Sequence, residues 1–167
     1  MKERPILFSA PMVRALLDGS KTQTRRIVKP SPPDGFNILM HKSEAGWVYA
    51  ADYKKLTHIE KDQQRIRWEC PYGQPGDRLW VREAWRAVWS SDDEPPRAMN
   101  NGYRIWYEAD APHQPGHGKC RPSMFMPRWA SRILLEVTAV RVEKLHAISK
   151  DDATAEGVDE WACGAMS

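Results

Sequence analysis

A chain of 167 residues that is 41% hydrophobic and 28% charged suits one globular domain with one core. Its formal charge of +3 admits an anionic partner but is smaller than a strong non-specific duplex binder carries. No apolar run approaches the ~20 residues that cross a bilayer, and no apolar stretch of signal-peptide type follows Met1–Pro5, so neither a membrane span nor a secretion signal is expected.

Cys70, Cys120 and Cys163 are far apart and form no CxxC or CxxH pair. That spacing argues against a structural zinc site and against a disulfide framework, and it fits a reducing cytoplasm. No metal and no cofactor are expected.

Residues 5–8 read as a short strand. Pro11 suits the first turn of a helix capped by Ser9 or Ala10. Met12, Val13, Leu16 and Leu17 give that helix an apolar face, and Gly19 is placed to stop it. Lys21–Arg26 therefore follows a helix end and is predicted to enter a strand through Ile27 and Val28. Residues 29–37 hold three prolines and a glycine and read as loop. Gly46–Ala50 and Arg65–Glu69 read as strands, with an exposed lysine-rich piece around Lys54 and Lys55 between them. Arg78–Glu83 follows a turn cluster and alternates, with Trp80 and Arg82 on one face and Leu79, Val81 and Glu83 on the other. Tyr103–Glu108 is the next predicted strand. Residues 90–101 read as a surface loop and 110–123 as a long flexible loop. Ile133–Leu145 is rich in β-branched residues and reads as a long strand. Ser149 and Asp152 stand at capping-box spacing, opening a helix that ends at Gly157. The tail after about residue 159 carries little signal. Strands with a few short helices and no βαβ alternation point to a small mixed β-barrel or other α+β fold.

The segment Lys21–Arg26 is either a solvated basic turn or an anion site. A hydroxyl beside a lysine can also form a nucleophile–base pair if burial lowers the lysine pKa. Glu156 by itself is an ordinary helix carboxylate. Arg82 and Glu83 either pair across strands or line a cavity. His113 and His117 lie four apart in a Pro/Gly loop, where no helix fixes the spacing a metal would need. The chain has eight tryptophans. Trp47, Trp85, Trp89, Trp106 and Trp129 are read mainly as packing residues, with base stacking as the alternative for one or two.

Three blocks in order carry a resemblance. Gly19-Ser20-Lys21-Thr22-Gln23-Thr24-Arg25-Arg26 resembles the G-x-K-T-x-T-x-R signature of the ASCH domain family. Gly76-Asp77-Arg78-Leu79-Trp80-Val81-Arg82-Glu83 resembles its G-D-x-L-x-V-R-E block. Leu135–Val140 followed by Ile148–Gly157 resembles its closing strand and helix. The opening Pro5–Pro30 and Met126–Arg132 further resemble a longer subgroup common in bacteriophage and prophage genomes. The resemblance implies one PUA-like β-barrel domain over 1–167, with extra length around 29–72 and 86–129. One short branch of the family comprises N4-acetylcytidine amidohydrolases. Its catalytic lysine, threonine and glutamate fall on Lys21, Thr24 and Glu156 here, and Arg25, Arg26, Trp80, Arg82 and Glu83 are the implied substrate-binding residues.

Three functions follow as expectations. The first is removal of an acyl group from a modified cytidine, with Thr24 as nucleophile, Lys21 as base and Glu156 assisting the leaving amine. The second is a non-catalytic module that binds RNA, a modified base or single-stranded nucleic acid through a basic face of Arg25, Arg26, Arg82, Arg128 and Arg132. The third is a ribonuclease. A monomer without membrane contact is expected.

Overall fold

The computed structural model describes residues 1–29, 37–43, 46–52, 68–110 and 113–157, with 37–43, 46–52 and 68–69 described as backbone. The predicted loop over 30–36, the lysine-rich piece, residues 65–67, the tail with Cys163 and the side chain of Trp47 lie outside the described residues. The chain folds as a small mixed α+β protein with two short α-helices and three open sheets among the described residues.

β1 (Glu3–Leu7) runs parallel to β5 (Arg78–Arg82), which runs antiparallel to β8 (Leu134–Glu136), giving the order β1-β5-β8. Alternation along β5 separates the two faces. Leu79 and Val81 are buried, while Trp80 and Arg82 are half-buried on the other side. Ile6, Phe8, Val13, Leu79, Val81, Ala109 and Val137 form the first core on the inner face. α1 (Ala10–Leu17) covers that face with Val13 fully buried. Proline occupies its first turn, and Gly19 follows it at φ 82°.

β2 (Asn37–Ser43), β3 (Gly46–Asp52) and β4 (Trp68–Glu69) form a separate antiparallel sheet in that order. β6 (Trp85–Ala87) pairs with β7 (Ile105–Tyr107). Trp85, Ala87, Met99, Met126 and Ala130 build a second core around this pair. The extra length over 86–129 thus carries a packed core of its own.

β2 and β6 were not among the predicted strands, and the structure also differs from the sequence reading elsewhere. The run 133–145 forms strand only over 134–136, because β5 supplies pairing partners only that far, plus a hydrogen-bonded step between Val137 and Asp77 at 2.9 Å. Ile27 and Val28 have strand composition but no strand partner among the described residues. The loop 113–123 is anchored, since Trp85 and Arg121 exchange backbone hydrogen bonds of 3.1 and 2.8 Å and Gly118 donates to Ala87 at 2.8 Å. β6 and this anchoring carry too little local pattern to be read in advance. Among the described residues no helix is long and apolar enough to cross a membrane.

α2 (Lys150–Ala155) opens on the expected capping box, with Ser149 Oγ accepting from the Asp152 amide at 3.0 Å.

Candidate functional site

The turn after α1 delivers the first motif onto the end of α2. The Lys21 amide donates to the Ala15 carbonyl at 2.8 Å, and Lys21 forms an antiparallel bridge with Glu156. The amides of Thr22 and Gln23 both donate to the Ala155 carbonyl, at 2.8 and 2.9 Å. Two segments more than a hundred residues apart in sequence are thereby laced by backbone hydrogen bonds, so side chains on either segment are held in fixed relation. Gly157 makes this approach possible. Its φ is +78°, and a Cβ there would lie 3.0 Å from Ala15 Cβ and 3.3 Å from Lys21 Cβ.

Lys21 is only 3% exposed. Its Nζ donates to the Gln23 carbonyl at 2.7 Å and to the Glu156 carbonyl at 2.8 Å, and it lies 5.8 Å from the centre of the Phe8 ring. Burial pushes its pKa below the ordinary lysine value. The Glu156 charge opposes that shift and the Arg26 charge adds to it. Thr24 is half-buried and follows directly on the peptide whose carbonyl accepts from Lys21 Nζ.

Lys21 and Thr24 line a cavity of about 1100 Å³. Residues 21–29 and 135–143 line it, together with Ile6, Phe8, Leu16, Leu79 and residues 70–72. The volume lies just above the range of about 300–1,000 Å³ typical of small-molecule sites. A lining that mixes apolar and aromatic residues with cationic, acidic and hydroxyl groups suits a flat polar ring carrying a polar substituent.

The Glu156 carboxylate is held at 2.6 Å by Arg25, itself a cavity-lining residue. Arg25 also reaches Glu143 at 3.0 Å and Asp152 at 3.3 Å. Arg141 pairs with both Glu143 (2.9 Å) and Asp152 (2.8 Å), and Gln23 donates to Asp152 at 3.0 Å. These contacts hold the Asp152 carboxyl well below the usual carboxylate range, Gln23 and Ser149 contributing most. Glu156 contributes its backbone carbonyl to Lys21 and is not one of the cavity-lining residues. The acidic partners Glu143 and Asp152 escaped the sequence reading as site residues. Asp152 was visible only as a helix cap, and Arg141 and Glu143 were hidden inside a run that reads as plain strand.

The remaining expected binding residues are dispersed. Arg26 lines the cavity, donates to the Leu7 carbonyl at 2.8 Å and lies 5.6 Å from the Phe8 ring centre. Trp80 and Arg82 project from the sheet face opposite the cavity. Glu83 is 1% exposed, and Arg132 holds its two carboxylate oxygens at 2.9 and 3.0 Å. Of the five arginines expected on one basic face, Arg25, Arg128 and Arg132 are neutralised by carboxylates, whereas Arg26 and Arg82 donate to backbone carbonyls. Of the tryptophans, Trp85 is fully buried and stacks edge-on against Trp129 at 6.2 Å, while Trp89 is 69% exposed. His117 packs on both Trp106 and His113, and neither histidine lines the cavity.

No protein-family model, curated protein or solved structure shows significant similarity to this chain.

Proposed function

We propose that this chain is an ASCH-type protein with a PUA-like fold that removes an acyl group from a modified nucleoside, N4-acetylcytidine being the type substrate. One observation carries the reading: a buried lysine with a lowered pKa and the threonine three residues after it both line a cavity large enough for a nucleoside. Two carbonyls take up two N–H bonds of the Lys21 amine. In its neutral form the amine keeps one lone pair, and that lone pair is the proton acceptor the reaction needs.

In the proposed sequence Lys21 takes the Thr24 hydroxyl proton as Oγ attacks the acetyl carbonyl carbon. The tetrahedral intermediate collapses with cleavage of the C–N4 bond, and the Lys21 ammonium returns the proton to the departing amine. Water then attacks the threonyl acetate and loses a proton to Lys21. Acetate departs, and Thr24 Oγ recovers its proton from Lys21. A part for the Glu156 carboxylate in protonating the amine requires Arg25 to release it. Glu143 and Asp152, which Arg25 already contacts, offer that arginine an alternative seat.

The test is conversion of N4-acetylcytidine to cytidine, followed by mass spectrometry. Wild type is expected to turn over, and Thr24→Ala and Lys21→Met are expected to lose the activity. Absence of product with wild type would remove the hydrolase from consideration.

One observation favours a second reading, binding without chemistry: the Glu156 carboxylate is already engaged by Arg25. That reading expects saturable binding of the intact acetylated nucleoside or of RNA, with no product. Ribonuclease action gains no support from the cavity, since among the described residues no histidine lines it.

A further inference from the structure

Among the described residues two aromatic side chains line the cavity, Phe8 and Tyr72, and their surroundings differ. Phe8 is 4% exposed, and Lys21 Nζ and the Arg26 guanidinium already lie 5.8 and 5.6 Å from its ring centre. Tyr72 is half-buried and packs against the first core. No hydrogen bond, cation or second ring engages its side chain among the described residues. The turn that carries Tyr72 is fixed in place. The Gly73 amide donates to the Cys70 carbonyl at 3.1 Å, and a Cβ on Gly73, whose φ is +105°, would lie 2.9 Å from Asp77 Oδ2. Asp77 is buried, and its carboxylate accepts from the Lys2 amide at 2.7 Å. Val137 of the cavity lining joins the same turn, accepting from the Gly76 amide and donating to the Asp77 carbonyl, both at 2.9 Å.

A ring that packs on a core, borders a cavity and has no partner of its own is a platform for a flat ligand. Stacking replaces water on an aromatic face and needs no particular pattern of donors and acceptors. The other lining groups are poorly suited to this task. Ile6, Leu79 and Val137 are aliphatic and present no plane. The Arg25 and Arg141 guanidiniums are tied to Glu143 and Asp152, and Arg26 is tied to the Leu7 carbonyl. An open-chain acyl amine has no face to lay on the Tyr72 ring, whereas a pyrimidine has two.

We propose that Tyr72 is the positioning and specificity-determining residue of this cavity. Its phenol ring stacks on the pyrimidine of the substrate and restricts the site to acyl amines carried on a planar heterocycle. The fixed turn at Gly73 gives the ring a set place, so the stacked base is held in one orientation rather than several. The proposal rests on the reading of the cavity as a nucleoside site, but not on any chemistry at Thr24.

The test is calorimetric titration with cytidine, the product of the proposed reaction, together with kcat and KM for N4-acetylcytidine. Tyr72→Leu should weaken cytidine binding about tenfold, the effect of losing one stacked base, and Tyr72→Phe should stay within about twofold of wild type because it keeps the ring. In turnover Tyr72→Leu should raise KM by the same factor with kcat nearly unchanged, since the stack is the same in the ground and transition states. A third measurement uses wild type alone and stands even if Tyr72→Leu fails to fold. Cys70 lines the cavity two residues before Tyr72, whereas Cys120 is exposed and does not line it. Saturating cytidine should slow alkylation of Cys70 but not of Cys120, read by mass spectrometry, and ribose should protect neither. Absent cytidine binding, wild-type affinity in Tyr72→Leu, an equal loss in Tyr72→Phe, or an unprotected Cys70 would overturn the proposal. Failure of the hydrolase reading is recorded separately, as absent turnover in a wild type that still binds cytidine through Tyr72.

Discussion

Lys21 is the residue on which two demands meet. Its backbone and ammonium tie the first motif to the end of α2, and its burial makes the ammonium expensive. Burial depresses its folded-state pKa below the ordinary value of 10.5, so the unfolded chain binds the extra proton between the two values. Stability therefore rises with pH across that window, and the cost of the buried charge is fully present below it. Urea melts of wild type and Lys21→Met at increasing alkaline pH should show the difference shifting toward wild type before pH 10.5 is reached. A difference that stays flat until above that value would mean that burial does not perturb this amine. The same depressed pKa sets the rising alkaline limb expected for acetylcytidine turnover. Gly157 offers a second measurement at this scale. A Cβ there meets Ala15 and Lys21 while the backbone stays at φ +78°. Gly157→Ala should cost about 2 kcal/mol in chemical denaturation, from strain and contact together. A loss near zero would show that the lacing between the two segments relaxes without penalty.

At the level of elements, what could be read in advance was what local chemistry dictates. Proline in the first turn and Gly19 after the last bracketed α1, and the Ser149–Asp152 spacing marked the start of α2. β5 was legible because its alternation matches one buried face. The rest depends on partners. Val140 and Val142 have the composition of a strand, but a strand exists only where a neighbour supplies hydrogen bonds, and β5 serves β8 only through Glu136. The burial of Arg121 was likewise invisible, because it is fixed by the carbonyls of Ser91 and Glu94 about thirty residues away. The candidate site divides the same way. Lys21, Thr24 and Glu156 were named together only by the resemblance to the ASCH signature, while the grip of Arg25 on Glu156 required the fold. The cap of α2 joins this site directly, since Asp152 serves both the capping box and the Arg25–Arg141 cluster. Ser149→Ala should cost about 1 kcal/mol. Asp152 has a depressed folded-state pKa, so its contribution is present above the ordinary value of 3.8 and is lost as pH falls through the lower folded value. Acid titration of wild type should show stability declining below about pH 4 more steeply than Asp152→Asn does. Parallel acid limbs in the two proteins would detach Asp152 from the stability of this corner.

Across the whole molecule the question is whether two cores behave as one. The first packs under the β1-β5-β8 sheet and the second around Trp85, and the extra length over 86–129 provides most of the second. Continuity of chain from Val81 to Trp85 joins them, and so does one group of side chains. Glu83, buried between the two, holds Arg132 by both carboxylate oxygens. Arg132 also reaches Asp110 at 2.6 Å and lies 3.9 Å from the centre of the Tyr107 ring, which packs against the second core. Tyr107 in turn donates its hydroxyl to the Ala130 carbonyl at 2.9 Å. The Arg132 guanidinium thus touches Tyr107, which packs on the second core, and Asp110, which follows Ala109 of the first; burial opposes its charge, but the Glu83 and Asp110 carboxylates hold its pKa well above the usual arginine value. Removing it leaves the buried Glu83 carboxylate with no guanidinium partner. Breaking a buried pair in this way costs about 3 kcal/mol, somewhat less where one partner keeps access to water as Arg132 does. The chain should unfold in urea in one transition, with the fluorescence of Trp85 and Trp129, kept in a background that lacks the other six tryptophans, reporting the second core and far-UV circular dichroism the whole chain, and the two curves coinciding. Arg132→Met should lower the midpoint and separate the curves, the fluorescence change moving away from the dichroism change. Glu83→Gln combined with Arg132→Met should recover part of the loss, because the stranded carboxylate is gone. Coincident curves in Arg132→Met would place the coupling in the backbone between Val81 and Trp85 instead, and two transitions in wild type would mean that the cores fold independently.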